Sequence, residues 1–134
     1  MKKIAWLLSL ILCVTTLIIC PPAQATQEWE MISPYLRFQG GNVYAGASEN
    51  GQTWILNQGT GERKYTSHID FKDSYVIPPN VIISLTGIDR DNKANSRINV
   101  VATNVTETGF DIEYKTWADT KITSLWSSWT ALGE

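Results

Sequence analysis

Three side chains in the last third of this sequence have the chemistry to hold a ligand rich in hydroxyl groups. Arg97 opens an apolar run directly after a charged turn, and Trp117 and Asp119 lie in the polar break after the next run. A guanidinium donates several N–H bonds in a fixed fork, a carboxylate accepts from hydroxyls, and an indole ring covers apolar C–H faces. This combination is typical of a sugar-binding surface.

Arg97 and Trp117 also have purely structural interpretations. Arg97 could instead form a surface salt bridge with Asp89 or Asp91. Trp117 falls on the polar face of its run, which is unusual for a core residue, and it could lie over a contact between subunits. The residue types and their spacing leave both interpretations open.

Signals for catalysis are weak. His68 is the single histidine, and no nucleophile motif accompanies it. Asp111 and Glu113 share a strand face, which a solvated surface explains better than a glycosidase pair does. Residues 89–92 lack the glycine and the terminal glutamate of a calcium loop, so they predict a plain turn, with a weak calcium site as the alternative. We expect a non-enzymatic protein with no cofactor and no metal.

The elements that must position these residues are short strands. Apolar residues recur with period two and Gly, Pro, Asn and Asp separate the runs, which predicts strands and no helix. The Gly40-Gly41 pair predicts a bulge or kink in the first strand, and the third strand is apolar enough to be buried on both faces. The predicted strands cover residues 35–45, 63–71, 81–88, 97–105, 110–115 and 122–132. Such a series predicts an antiparallel sandwich or barrel whose last three strands form successive hairpins.

The first 25 residues have the features of a secretory signal peptide. Two lysines precede an apolar run over residues 5–19, two prolines end it, and Ala23-Gln24-Ala25 forms a small-x-small cleavage site. The run is short for a membrane span, so an uncleaved anchor and a lipoprotein attached at Cys20 are the less favoured alternatives. We expect a secreted protein, extracellular or periplasmic, without membrane insertion after cleavage near Ala25.

Cleavage removes 25 of the 134 residues and leaves one domain over residues 26–134. Both cysteines and two of the eleven basic residues are removed with it, so the mature chain has no disulfide and carries 9 basic residues against 13 acidic ones. An excess of negative charge opposes binding to a phosphate backbone, so we expect no nucleic-acid partner. Five of the six tryptophans remain, which suits both sugar sites and ordinary cores.

Several short motifs follow one another along the mature chain. In order they are residues 57–63, Phe71, Tyr75 with Pro78-Pro79 and Val81, Ile88-Asp89, Arg97-Ile98 with Val100, Asn104-Val105-Thr106, Thr108-Gly109-Phe110, Thr116-Trp117 and Ser128-Trp129-Thr130-Ala131. Together they resemble the H-type lectin domain, which occurs in snail agglutinins and at the C-terminal end of discoidins. The resemblance covers residues 38–131.

The resemblance implies a six-stranded antiparallel β-sandwich that assembles as a trimer or as a hexamer of stacked trimers. It also implies a site for N-acetylgalactosamine or galactose at the seam between subunits. Arg97 matches the sugar-binding arginine, Trp117 matches the tryptophan of the adjacent subunit, and Asp119 lies in the polar stretch after it. Gly59 and Thr60 match a loop that supplies further hydrogen bonds. The implied protein is a lectin that binds glycans multivalently, in cell adhesion or glycan recognition.

Three positions depart from the family pattern. Thr60 stands where snail members carry an acidic residue, Ala118 where histidine or asparagine often follows the tryptophan, and Thr123 where a tyrosine is found. The three departures bear on which sugar is preferred, and those at Ala118 and Thr123 support an alternative function, a structural or adhesion oligomer that keeps the fold and has lost the sugar.

Overall fold

The computed structural model describes residues 35–50 and 53–134 of the chain. Its elements are β1 (Arg37–Gly46), α1 (Ala47–Asn50), β2 (Arg63–Asp70), β3 (Asn80–Arg90), β4 (Asn99–Thr103), β5 (Gly109–Thr116) and β6 (Ile122–Gly133). The predicted signal peptide lies outside the described residues. Within the described ranges, no helix is long and apolar enough to span a membrane.

The strands form two three-stranded antiparallel sheets, in the orders β1–β6–β3 and β2–β5–β4. The predicted six-stranded β-sandwich is therefore confirmed. The predicted series of hairpins is wrong in one respect: β4 and β5 pair in one sheet, whereas β6 lies between β1 and β3 in the other. The connection over residues 117–121 consequently passes from one sheet to the other, and this crossing places Trp117 and Asp119 at one end of the sandwich.

Side-chain alternation determines which face of each sheet is buried. Phe110, Ile112 and Tyr114 of β5 are fully buried, whereas the residues between them are partly exposed, as the sequence predicts. The Tyr114 and Ser127 hydroxyls are 2.6 Å apart, which joins the two sheets by a hydrogen bond through the core. Burial raises the pKa of the Tyr114 hydroxyl, so this group stays protonated.

Two strands differ from the sequence prediction. Gly40 and Gly41 pair with β6 in continuous register, so the predicted bulge is wrong. Close packing is the reason for glycine here, because a Cβ on Gly41 would lie 2.9 Å from Nε1 of Trp129. The prediction that the third strand is buried on both faces is also wrong. Ile82 of β3 is 61% exposed, since nothing in the described part of the chain covers the outer face of its sheet.

Aromatic residues close both ends of the sandwich. At one end the rings of Phe71, Tyr75, Phe110 and Trp129 form a cluster with centroids 5.0 to 5.9 Å apart. At the other end Trp54 is fully buried, and its Nε1 donates to the carbonyl oxygen of Ile122 at 2.8 Å. The connection between α1 and β2, which is rich in glycine, asparagine and glutamine, therefore contributes Trp54 to the packed interior at the end where the candidate site lies.

Candidate functional site

Two of the predicted site residues meet at one end of the sandwich. Nη1 of Arg97, just before β4, donates a hydrogen bond to Oδ1 of Asp119 in the connection between β5 and β6. The Arg97 side chain is 29% exposed and that of Asp119 is 56% exposed, so the ion pair faces solvent. The sequence interpretation that paired Arg97 with Asp89 or Asp91 is wrong, because the β5–β6 connection crosses directly to it.

Two buried threonines hold this ion pair in place through the backbone. Oγ1 of Thr116 donates to the carbonyl oxygen of Arg97 at 2.6 Å, and Oγ1 of Thr120 donates to that of Asn95 at the same distance. Both threonines have no exposed surface. The connection before β4 and the connection before β6 are therefore tied together on either side of the Arg97–Asp119 pair.

Trp117 stands out from the same connection. Its side chain is 40% exposed, and its ring makes no hydrogen bond or ring contact within the described residues. The next residue, Ala118, has a φ of 55°, a left-handed conformation that residues with a Cβ rarely adopt. This sharp turn directs the chain from Trp117 to Asp119. The role of Trp117 in the site of a neighbouring protomer stays a prediction.

Arg63 connects the two loops that form this end of the molecule. Its Nη1 donates to the carbonyl oxygens of Gln58 and Gly59 at 2.7 and 2.8 Å, and its Nη2 donates to those of Ala118 and Thr120 at 3.2 and 2.8 Å. The residue is buried, and its guanidinium fork supplies donors to carbonyls that no strand neighbour satisfies. Arg63 therefore positions the connection that carries Trp117 and Asp119.

Sequence reasoning missed the importance of Arg63, although a signal was present. In the period-two pattern of β2, Arg63 has the same parity as Tyr65 and Ile69, which point inward. An arginine at an inward position, directly after a loop rich in glycine, indicates a guanidinium that binds the carbonyls of that loop.

The predicted Gly59-Thr60 segment lies beside the β5–β6 connection. Besides the bond from Arg63 to Gly59, the amide nitrogen of Gly61 donates to the carbonyl oxygen of Ala118 at 2.9 Å. Gly59 and Gly61 both have positive φ values, 58° and 86°, which explains glycine at these two positions. In the described residues no hydrogen bond joins Gly59 or Thr60 to Arg97 or Asp119, and a role for them in ligand binding stays a prediction.

A second polar cluster lies on the outer face of the β2–β5–β4 sheet. Nδ1 of His68 is 2.6 Å from Oδ1 of Asp111, and its Nε2 is 3.3 Å from Oδ1 of Asp70. Asn104 Nδ2 donates to the other oxygen of Asp111 at 2.8 Å. The hydrogen bond with Asp111 raises the pKa of His68, and the hydrogen bond from Asn104, followed by that from His68, lowers the pKa of Asp111.

The two carboxylates that a glycosidase would need are already bound by neighbouring side chains. Asp111 is bonded to His68 and Asn104, and Glu113 pairs with Lys64 at 3.1 Å. Both carboxylates are thus engaged by side chains of their own sheet, which favours a structural role for them. In the part of the chain that the structure describes, no three His, Cys, Asp or Glu residues are placed to hold a metal ion.

Comparisons with known proteins identify relatives of this chain. Residues 66–132 match the H-type lectin domain. A protein of Fuscovulum blasticum named ATP synthase subunits region ORF 7 is 35% identical over 96 residues, which cover 71% of this chain and 81% of that protein. A discoidin-1 polypeptide of Dictyostelium discoideum is 30% identical over 93 residues, 69% of this chain. Among solved structures, discoidin II of Dictyostelium discoideum superposes with a TM-score of 0.64 at 25% identity over 75% of this chain. The chain spans 35% of that discoidin-1 polypeptide and 38% of discoidin II.

Replacement of Arg63 by lysine tests its role in positioning the site. An ammonium group has three donors on a single nitrogen and cannot replace the four bonds that Nη1 and Nη2 make to the two loops, so we expect Arg63→Lys to lower the free energy of unfolding by about 2–4 kcal/mol. The amide proton of Gly61, which bonds to Ala118, should exchange faster with solvent. Urea denaturation and hydrogen exchange measure these effects. Lys64→Met on the same strand is the control, with an expected change below about 0.5 kcal/mol; equal effects of the two variants would exclude the proposed role.

The single histidine allows a direct test of its cluster. The raised pKa of His68 should give a titration midpoint above about 6.5 in proton NMR, and Asp111→Asn should lower it. Because protonated His68 is favoured in the folded state, its stabilisation is present below the unfolded pKa and is lost as pH rises through the folded pKa. Glu113→Gln, which removes a carboxylate paired with Lys64, is the control. A wild-type midpoint at or below about 6.5 would contradict the geometry.

Proposed function

The chain belongs to the H-type lectin domain family and is a carbohydrate-binding protein of lectin type, and from this premise we propose that it recognises terminal N-acetylgalactosamine or galactose. The observation that carries the proposal is the solvent-facing Arg97–Asp119 pair; the exposed ring of Trp117, in the same connection as Asp119, is available to the site of a neighbouring protomer. The proposed activity is reversible binding without chemical change of the glycan.

The chemistry of this pair suits sugar hydroxyls. Arg97 uses Nη1 for Asp119, and its remaining N–H groups can donate to hydroxyl oxygens. Oδ2 of Asp119 can accept from a hydroxyl of the same sugar. The ring of Trp117 offers an apolar surface for C–H groups or for an acetyl methyl group. A galactose-type residue presents hydroxyl oxygens that accept, hydroxyl groups that donate and an apolar C–H surface within a few ångströms of one another.

The outer face of the β1–β6–β3 sheet supports assembly into an oligomer. Four rows of residues on this face, each with one residue from β1, one from β6 and one from β3, are called the apolar face here. None of the twelve residues is charged. The rows are Phe38, Leu132 and Asn80; Gly40, Thr130 and Ile82; Asn42, Ser128 and Ser84; and Tyr44, Trp126 and Gly87. Phe38 is 69% exposed and Ile82 is 61% exposed. Exposed apolar surface of this kind marks a protein–protein contact, and a second copy of this chain is the proposed occupant.

Trp126 and Trp129 lie three residues apart in β6, so they point to opposite sides of the sheet, one to the core and one to the apolar face. Trp129 packs against Phe71 and Phe110 in the interior. Trp126 is 43% exposed, and its ring lies 5.2 Å from that of Tyr44 on the outer side of the same sheet. A fixed pair of aromatic rings on the surface is suited to packing against another copy of the chain.

A trimer or hexamer gives weak single sites a strong collective effect. A shallow, exposed site contributes few contacts, and several copies on one rigid body raise the effective concentration of each for a glycan-covered surface. In the family arrangement, Arg97 of one protomer and Trp117 of its neighbour complete one site. The proposed export by residues 1–25 would bring this oligomer to surfaces that display such glycans.

An adhesion oligomer without sugar binding is the second candidate function. The sequence departures at Ala118 and Thr123 favour it, since both replace larger polar side chains of the family pattern by small ones. The two candidate functions require the same fold and the same apolar face. They differ in whether Arg97 binds a sugar.

Substitution of Arg97 distinguishes the two candidates. The protein is purified from the exported fraction, its first residue is checked by mass spectrometry, and its binding is measured on a glycan array. We expect Arg97→Ala to weaken binding to galactose-type glycans by about tenfold to a hundredfold, because hydrogen bonds from a charged donor are lost. Arg37→Ala, an arginine at the opposite end that donates to Ser74, is the control. A folded wild-type oligomer that binds no galactose or N-acetylgalactosamine glycan would eliminate the sugar proposal.

Charge on the apolar face tests the oligomer. We expect Ile82→Asp to produce monomers, because a buried, unpaired carboxylate is costly at an interface. Because each proposed site needs residues from two protomers, the monomeric variant should also lose agglutination, although Arg97 itself is unchanged. Val101→Asp is the matched control, since Val101 is 37% exposed on the outer face of the other sheet. Light scattering after size exclusion measures the mass, and a wild-type monomer would contradict the assembly.

A further inference from the structure

The carboxylate of Asp119 does more than offer an acceptor to a ligand. One of its oxygens already accepts from Nη1 of Arg97, so the cation at the centre of the proposed site is paired within its own chain. The other oxygen of Asp119 and the other N–H groups of Arg97 make no further hydrogen bond in the described residues. A ligand therefore meets a donor and an acceptor side by side.

We infer that Asp119 is the residue that makes this site select neutral, hydroxyl-bearing ligands over anionic ones; this inference rests on the proposed function. A hydroxyl group both donates and accepts, so it can bridge the guanidinium of Arg97 and the carboxylate of Asp119. A carboxylate or a sulfate group only accepts. It would gain the bond to Arg97 and meet the negative charge of Asp119 at the same time.

Neighbouring charges do not perform this selection in place of Asp119. The guanidinium of Arg63 lies under the same connection, bound to four carbonyl oxygens, and favours anions. Glu62 faces Lys115 at 3.9 Å, so its charge is directed to another cation. Without Asp119 the site would therefore present Arg97 as an unpaired cation above a buried second one.

Galactose and galacturonate form a matched pair of ligands, because the acid differs by a carboxylate at one carbon. Calorimetry on the full oligomer should show that the wild type binds galacturonate at least about tenfold more weakly than galactose. Asp119→Asn keeps the shape and removes the charge, so it should strengthen galacturonate binding by about tenfold. Asp119→Glu should retain the wild-type preference. An Asp119→Asn variant with an unchanged ratio of the two affinities would overturn the inference.

A sulfate titration separates this inference from the proposed function. Nitrogen-15 NMR follows the backbone amide signals of residues 97 and 119, which every variant retains, and inorganic sulfate is the probe. We expect saturable shifts in Asp119→Asn, none in the wild type or in Glu62→Gln, and loss of the effect in Arg97→Gln/Asp119→Asn. If the wild type binds no sugar while these sulfate results hold, the proposed function fails and the role of Asp119 stands. Equal sulfate affinity in the wild type and in Asp119→Asn would show that Asp119 does not select against anions.

Discussion

The arrangement of the loops at the end of the sandwich that carries the candidate site depends on the buried guanidinium of Arg63. Loop carbonyls lack the partners that a β-ladder supplies, and a buried carbonyl without a partner is costly. Arg63 binds four of them, two from each of two loops. Its planar fork fits this task because its donors point outward in fixed directions. Trp117 and Asp119 are thus held by a residue that is not itself exposed at the surface.

The burial of this cation also explains the strained backbone nearby. Ala118 keeps a positive φ because its carbonyl oxygen is held by both Arg63 and the amide of Gly61. The departure from histidine or asparagine at this position removes a side chain from the proposed pocket and leaves the turn itself intact. The contacts that hold the fold and those proposed to bind a ligand therefore differ, so both proposed functions are compatible with one framework.

The two outer faces of the sandwich have opposite character. The β2–β5–β4 sheet presents charged pairs, such as Lys64 with Glu113 and His68 with Asp111, and these pairs keep it solvated. The apolar face presents aromatic, aliphatic and uncharged polar side chains at the corresponding positions of the other sheet. The alternation in the sequence does not predict this asymmetry. A period of two shows which residues share a face of a strand, but it does not show whether another chain covers that face.

By itself the sequence determined the six strands and the family, whereas the prediction of no helix is wrong because residues Ala47–Asn50 form the short helix α1. Period-two patterning located all six strands, the inward residues of β5 and the opposite directions of Trp126 and Trp129, because strand geometry is local. The motif order pointed to the H-type lectin fold. Tertiary structure decided what is not local: the placement of β6 in the opposite sheet, the pairing of Arg97 with Asp119 rather than Asp89 or Asp91, and the exposure of Ile82. These depend on which chain segments meet across the sandwich, and two of those segments are joined by Arg63 together with the backbone bond from Gly61 to Ala118.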